Sequence, residues 1–313
     1  MLRRIPILLI VGALALAGCT TPDQPGGESG QQGQGSGIDI IKEGTFYLSF
    51  EEAMPTGQTL DYSTKAGDLE YRHTVAFYRY DEKGELSASP AETKTISSNN
   101  LMGVSFTIKL PQGRYKVLAW TDCLEGQHQY WNLSTFPIIR LDGRDDYVGN
   151  RKGREAFFGT VELFVYTSGL SVGTIKMSRP MAAYYFYATD AGAFAGRSIS
   201  AQVFIGAVPS GINLQDGSVQ SGASITYTVP VQTMDDGTVL LAFDYVYVKD
   251  AEASHDVKLT LLDENKVELC KKELTVPLKR GQKTVYRGAV LSAEGNAGIN
   301  VDPTFDGEFE FSF

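Results

Sequence analysis

Leu110-Pro111-Gln112-Gly113-Arg114-Tyr115-Lys116-Val117-Leu118-Ala119-Trp120 is a β-turn feeding a strand. Pro111 presets one turn angle, Gly113 permits a positive φ, and Tyr115, Val117 and Ala119 then share one face of the outgoing strand. The incoming arm, Val104 to Leu110, alternates in the same way. Working outward, period-two runs rich in Tyr, Phe, Val, Ile and Thr recur at Thr45–Phe50, Thr74–Tyr80, Pro137–Leu141, Gly159–Tyr166 and Gly173–Ser178. They continue at Tyr184–Thr189, Ser200–Ala207, Ser224–Val229, Val239–Val248, Asp256–Leu262, Val267–Val276, Thr284–Leu291 and Gly307–Phe313. Asp81-Glu82-Lys83-Gly84, Asp235-Asp236-Gly237 and Asp263-Glu264-Asn265 sit between such runs as hairpin turns. No amphipathic helix longer than three turns stands out, so the fold class is all-β, with short connections that favour antiparallel sandwiches.

Ahead of the strands, Arg3 and Arg4 precede an apolar run from Ile5 to Leu16. Roughly a dozen apolar residues are too few to span a bilayer, which needs about 20, so the pattern reads as a secretory signal. Leu16-Ala17-Gly18-Cys19 resembles the lipobox of bacterial lipoproteins. The resemblance implies cleavage before Cys19, acylation of its thiol and, with Thr20 following, an outer-membrane destination. Thr20 to Gly37 holds Gly, Gln, Ser and Pro without a large apolar residue, the composition of a flexible tether. Such a tether reaches roughly 25 Å. The expected organisation is residues 1–18 signal peptide, 19–37 lipidated tether, 38–168 a first sandwich and 169–313 a second, divided at Tyr166-Thr167-Ser168-Gly169.

Loss of Arg3 and Arg4 leaves 26 basic residues against 37 acidic ones, a formal charge near −11. That surface repels nucleic acid and anionic headgroups alike, leaving membrane attachment to the lipid. Beyond Cys19 only Cys123 and Cys270 remain, too few for a disulfide framework; two separate thiols or one bond are both open. The three histidines, His73, His128 and His255, are scattered, and no metal or cofactor is expected. The sequence carries no P-loop or dinucleotide fingerprint, and no catalytic residue is assigned. One loop, Trp120 to Phe136, gathers Trp120, His128, Tyr130 and Trp131 among polar residues. Aromatics there are candidates to stack on a glycan or anchor a host protein, or else to cap the core.

The Leu110–Tyr115 turn also resembles the Leu-Pro-x-Gly-x-Tyr corner of transthyretin-like sandwich domains. Tyr147-Val148-Gly149-Asn150, Arg154-Glu155-Ala156-Phe157-Phe158-Gly159, Arg179-Pro180-Met181-Ala182 and Val276-Pro277-Leu278-Lys279-Arg280-Gly281-Gln282-Lys283-Thr284 follow. In that order they are similar to the fimbrillin-like lipoproteins of the type V pilin superfamily. The resemblance implies two transthyretin-like domains and a main, tip or anchor subunit of a fimbrium, assembled by β-strand addition after proteolysis behind the first strand. Lys65 is the basic residue in the polar stretch Glu51–Leu69, and so the expected processing site, with Arg72 and Lys42 as alternatives. The stretch has no arginine, a departure from pilins matured by an arginine-specific protease. The other expectation is a monomeric surface lipoprotein that binds glycans or a host protein through its loops.

Overall fold

In the middle of each half of the chain run strands that are apolar on both faces, and these decide the layering. The computed structural model describes residues 41–50, 70–99, 101, 103–124, 130–131, 136–141, 147–151, 154–170, 173–220, 222–248, 250, 252–291 and 308–310. All of them fall within the unit Asp39–Phe313.

In the first half, β5 (Gly113–Cys123) lies between β2 (Tyr71–Arg79) and β8 (Ala156–Tyr166). With β3 (Glu92–Ser98) and β9 (Gly169–Leu170) they form a five-stranded antiparallel sheet in the order β3-β2-β5-β8-β9. A three-stranded sheet, β10-β1-β4, comprises β10 (Thr174–Met177), β1 (Ile41–Phe50) and β4 (Ser105–Pro111). Phe46, Leu48, Phe106, Ile108 and Ile175 from this sheet meet Val75, Phe77, Tyr115 and Val117 from the larger one in a single core. The Leu110–Tyr115 turn is built as its residues dictate. Gly113 takes φ +154°, and the Tyr115 hydroxyl donates back to the Pro111 carbonyl at 2.8 Å. That bond ties the two arms across the corner.

The second half repeats the scheme. β11 (Met181–Ala188) lies between β17 (Val239–Tyr247) and β20 (Lys283–Gly288), with β16 (Gln232–Thr233) and β21 (Glu308–Glu310) outside them. Opposite stands a four-stranded sheet, β15-β12-β18-β19, made of β15 (Ala223–Pro230), β12 (Ser200–Val208), β18 (Glu252–Leu262) and β19 (Glu268–Lys279). Val203, Ile205, Val257 and Leu259 pack there against Tyr184, Phe186, Leu241 and Val246.

A third core lies between the two five-stranded sheets. It takes the opposite parity of the same strands: Ala76 and Tyr78 of β2, Leu118 and Trp120 of β5, Ala183, Tyr185 and Tyr187 of β11, and Tyr245 and Tyr247 of β17. Ile139 and Ile212 join it from a small sheet, β14-β13-β7-β6, formed by β14 (Val219–Gln220), β13 (Gly211–Asn213), β7 (Ile138–Leu141) and β6 (Tyr130–Trp131). β13 pairs with β7 antiparallel, Ile212 opposite Ile139, so this sheet draws strands from both halves. The sequence reading expected alternation between a buried and a solvated face. Instead every residue of β11 and β17 is buried, because each flank of these strands faces a core.

The expected dividing segment, Tyr166–Gly169, is the turn between β8 and β9, and β10 beyond it still pairs with β1. Cys123 is buried and Cys270 partly so, and neither is in a disulfide.

Candidate functional site

β1 is held on both sides. It runs parallel to β10, with Tyr47 opposite Thr174 and Phe50 opposite Met177, and antiparallel to β4, with Ile41 opposite Pro111 and Tyr47 opposite Ser105. The Tyr47 N–H donates to the Gly173 carbonyl at 3.2 Å and the Leu48 N–H to the Val104 carbonyl at 3.0 Å. Alternation sends Phe46 and Leu48 into the core and leaves Ile41 and Tyr47 exposed. The Phe46 ring meets Phe77 edge-on at 5.5 Å. A Cβ at Gly173 would come within 3.1 Å of the same ring, so glycine there makes room for the phenylalanine. β1 is thus the middle strand of its sheet, filling a slot whose walls are β4 and β10.

The proposed processing residues separate in this frame. Lys65 and Cys19 lie outside the described residues. Lys42 sits in β1 opposite Leu110. Arg72 sits within β2 and binds Asp122 of β5, Nε to Oδ1 at 3.0 Å and Nη2 to Oδ2 at 2.5 Å. Cleavage there would first require β2 to leave its pairing with β3 and β5.

The aromatic loop is also rearranged. Trp120 is wholly buried, on the face of β5 that points into the third core, and presents no ring to a ligand. His128 lies outside the described residues. The backbone of Tyr130 and Trp131 forms β6, paired with Leu141 and Arg140 of β7.

A buried polar cluster, by contrast, was not anticipated. Arg154 Nη1 donates to both Asp244 carboxylate oxygens at 2.6 Å, and its Nη2 donates to the Val148 carbonyl at 2.7 Å. The guanidinium lies 3.8 Å from the centre of the Tyr147 ring. Asn150, at φ +57°, takes a hydrogen bond from the Phe243 N–H at 2.8 Å and returns one to its carbonyl at 3.1 Å. Gly149 passes so close to Tyr227 that a Cβ would fall 2.0 Å from the ring. Tyr227 shares a hydrogen bond of 2.9 Å with Tyr184. Burial pushes the Asp244 carboxyl above the usual range against the pull of Arg154, and raises the phenols of Tyr147, Tyr184 and Tyr227 well beyond theirs. The run Tyr147–Arg154 is thereby stapled to β17. Nearby, Arg179 binds Glu155 and covers the Phe157 ring at 4.6 Å, while Gly159 admits the Lys176 carbonyl, 2.4 Å from where a Cβ would stand. These contacts account physically for the motifs between Tyr147 and Met181, and their role is to hold shape.

His73 is wholly buried, sharing hydrogen bonds of 2.9 Å with Thr121 and Ser98. Burial lowers its pKa from 6.5 to about 4. The folded chain therefore keeps a neutral imidazole where the unfolded chain takes up a proton, so this contribution is full above pH 6.5 and is lost as pH falls towards 4. The expected loss is about 2–3 kcal/mol. Urea unfolding at pH 7.5 and 4.5 should give a clearly shallower pH dependence for His73→Gln than for the parent; equal slopes would refute the assignment.

Among the described residues no group of three or more His, Cys, Asp or Glu side chains could hold a metal. No described helix is long and apolar enough to cross a membrane. Gly169-Leu170-Ser171-Val172-Gly173 spells the Gly-x-Ser-x-Gly pattern. It connects β9 to β10, whereas a nucleophile elbow needs a strand followed by a helix.

The layered arrangement has counterparts among solved structures. A candidate adhesin from Bacteroides thetaiotaomicron shares the fold at 13% identity, over 81% of this chain and 95% of that one, with a TM-score of 0.50. A candidate polysaccharide-binding protein (DUF1812) from the same species does so at 10% identity over 78% and 91%, also at 0.50. The fimbrial anchor protein Mfa2 from Porphyromonas gingivalis matches at 14% identity over 78% and 90%, with a TM-score of 0.43. No curated protein matches the sequence. One family model runs from within β1 to beyond β21, taking in every sheet described above. The chain belongs to that family, a family of unknown function (DUF6562), whose model matches residues 42–312.

Proposed function

We propose that the chain is a non-enzymatic cell-surface subunit of the fimbrial and adhesin kind, carried to the outer membrane by a lipid on Cys19 and joined to its neighbours by β-strand addition once cleavage behind β1 releases it from that anchor. The observation that carries this reading is the position of β1 between β4 and β10. A middle strand can be exchanged once the segment that joins it to the next strand is cut. If it leaves, its two neighbours expose unpaired N–H and C=O groups, and the pockets of Phe46 and Leu48 open between them. A strand from another subunit restores both the hydrogen bonds and the apolar contacts. Cleavage after Lys65, in the segment between β1 and β2, would leave β1 held by non-covalent contacts alone. Two transthyretin-like sandwiches, one per half of the chain, are part of the same reading. The adhesin and polysaccharide-binding descriptions of the two structures with the higher TM-scores agree with a place at the cell surface.

The test is mass spectrometry of the N-terminus of protein recovered from intact cells, paired with an unboiled denaturing gel. A new N-terminus after Lys65 together with a heat-sensitive ladder is the expected result. An intact acylated Cys19 with monomer alone would overturn assembly by strand exchange.

A further inference from the structure

Along β8, Leu163 and Val165 point into the core of the first half, while Glu162, Phe164 and Tyr166 point the other way. Further along the sheet that second face is covered by the third core. Lys116 marks the limit of the cover, its Nζ donating to the Gln215 carbonyl at 2.5 Å. Past it, Phe164 is 43% exposed and Tyr166 53%. Their rings are 15° from parallel with centroids 6.1 Å apart. Arg114 pairs with Phe164 in register, and its guanidinium lies 4.4 Å from the centre of the Tyr80 ring and 5.7 Å from that of Phe164. Glu162 holds one end of the row: Oε1 accepts the Tyr80 hydroxyl at 2.8 Å and Oε2 accepts Arg114 Nε at 3.1 Å. The result is a row of four flat groups, Tyr80, Arg114, Phe164 and Tyr166, the first two held by one carboxylate.

We infer that this row binds a neutral polysaccharide, with sugar rings lying flat on Phe164 and Tyr166. The C–H bonds on the apolar face of a pyranose carry partial positive charge and meet the negative face of an aromatic ring. The remaining N–H groups of Arg114 and the free lone pairs of Glu162 suit the hydroxyl rim of the same sugar. Charge selects among ligands. Arg114 and Glu162 neutralise each other, so an acidic glycan, a phosphate or an anionic bilayer finds no net attraction. Because Glu162 already holds Arg114, little side-chain entropy is lost when that guanidinium meets a ligand. The row uses no residue of β1, and its failure would leave strand exchange untouched.

Affinity electrophoresis of the full chain tests this, in native gels containing barley β-glucan, xylan, galactomannan or, as the charged comparison, polygalacturonate. At least one neutral polysaccharide should retard the protein. The double variant Phe164→Ala/Tyr166→Ala should weaken that retardation at least about tenfold, and Phe164→Trp should preserve it, both with an unchanged circular dichroism spectrum. Retardation by none of the neutral polymers, by polygalacturonate alone, or equally in parent and double variant overturns the proposal. So does a double variant that loses self-association in sedimentation while glycan binding is absent, which would make the row a contact between copies.

Discussion

Asp244→Ala should lower the stability of the folded chain by about 3–5 kcal/mol. The carboxylate is wholly buried and takes both of its short hydrogen bonds from Arg154, itself buried. Deleting it strands a guanidinium in the interior and removes the acceptor for the Tyr245 N–H at 2.8 Å. At about 2–4 °C per kcal/mol for a large domain, thermal unfolding followed by circular dichroism should shift down by roughly 10 °C. Replacing the pair together, Arg154→Met/Asp244→Leu, leaves no orphan charge and should recover much of the loss. A single variant within about 1 kcal/mol of the parent would mean that the pair contributes little and that other contacts fix Tyr147–Arg154.

Phe46→Ala is expected to cost about 3–5 kcal/mol, the range for emptying a large aromatic site in a core. Its ring is wholly buried, between Phe77 and the backbone at Gly173. The loss should be local as well as large. Backbone hydrogen exchange should accelerate in β1 and at the facing positions of β4 and β10, and far less in β11. Tyr47→Ala, one residue on and 48% exposed, should stay within about 0.5 kcal/mol of the parent. Equal losses at the two positions, or exchange rising uniformly, would contradict a strand held mainly by its inward side chains.

The all-β fold was legible because the long strands carry an alternating signal, and the turn at Leu110–Tyr115 carries its own instructions. β3 was missed for a physical reason. Glu92-Thr93-Lys94-Thr95-Ile96-Ser97-Ser98 lies at a sheet edge with most of its residues exposed, so no apolar alternation exists to read. β6, β13, β14 and β16 are two or three residues long, too short to show a period. The third core was hidden by the assumption that each sheet has one wet face. The unbroken apolar run Met181–Ala188 was the available sign against it. Trp120 could be read both as the end of the strand that leaves Gly113 and as the start of an aromatic loop, and β5, which continues to Cys123, carries it inside. The Arg154–Asp244 pair joins residues 90 positions apart, which no spacing rule connects. A carboxylate in the middle of Val239–Tyr247 nonetheless announces that a buried partner must exist.

The parallel pairing of β1 with β10 also bears on how the chain acquires its structure. Tyr47 cannot meet Thr174 until every strand from β2 to β9 has been synthesised. Contacts of such long sequence separation form late and slowly, since loop closure must come first. In a newly made chain β1 can therefore lie against β4 while its other edge, the one β10 covers, is still unpaired. The order of folding events itself leaves an interval in which that edge has yet to meet its partner.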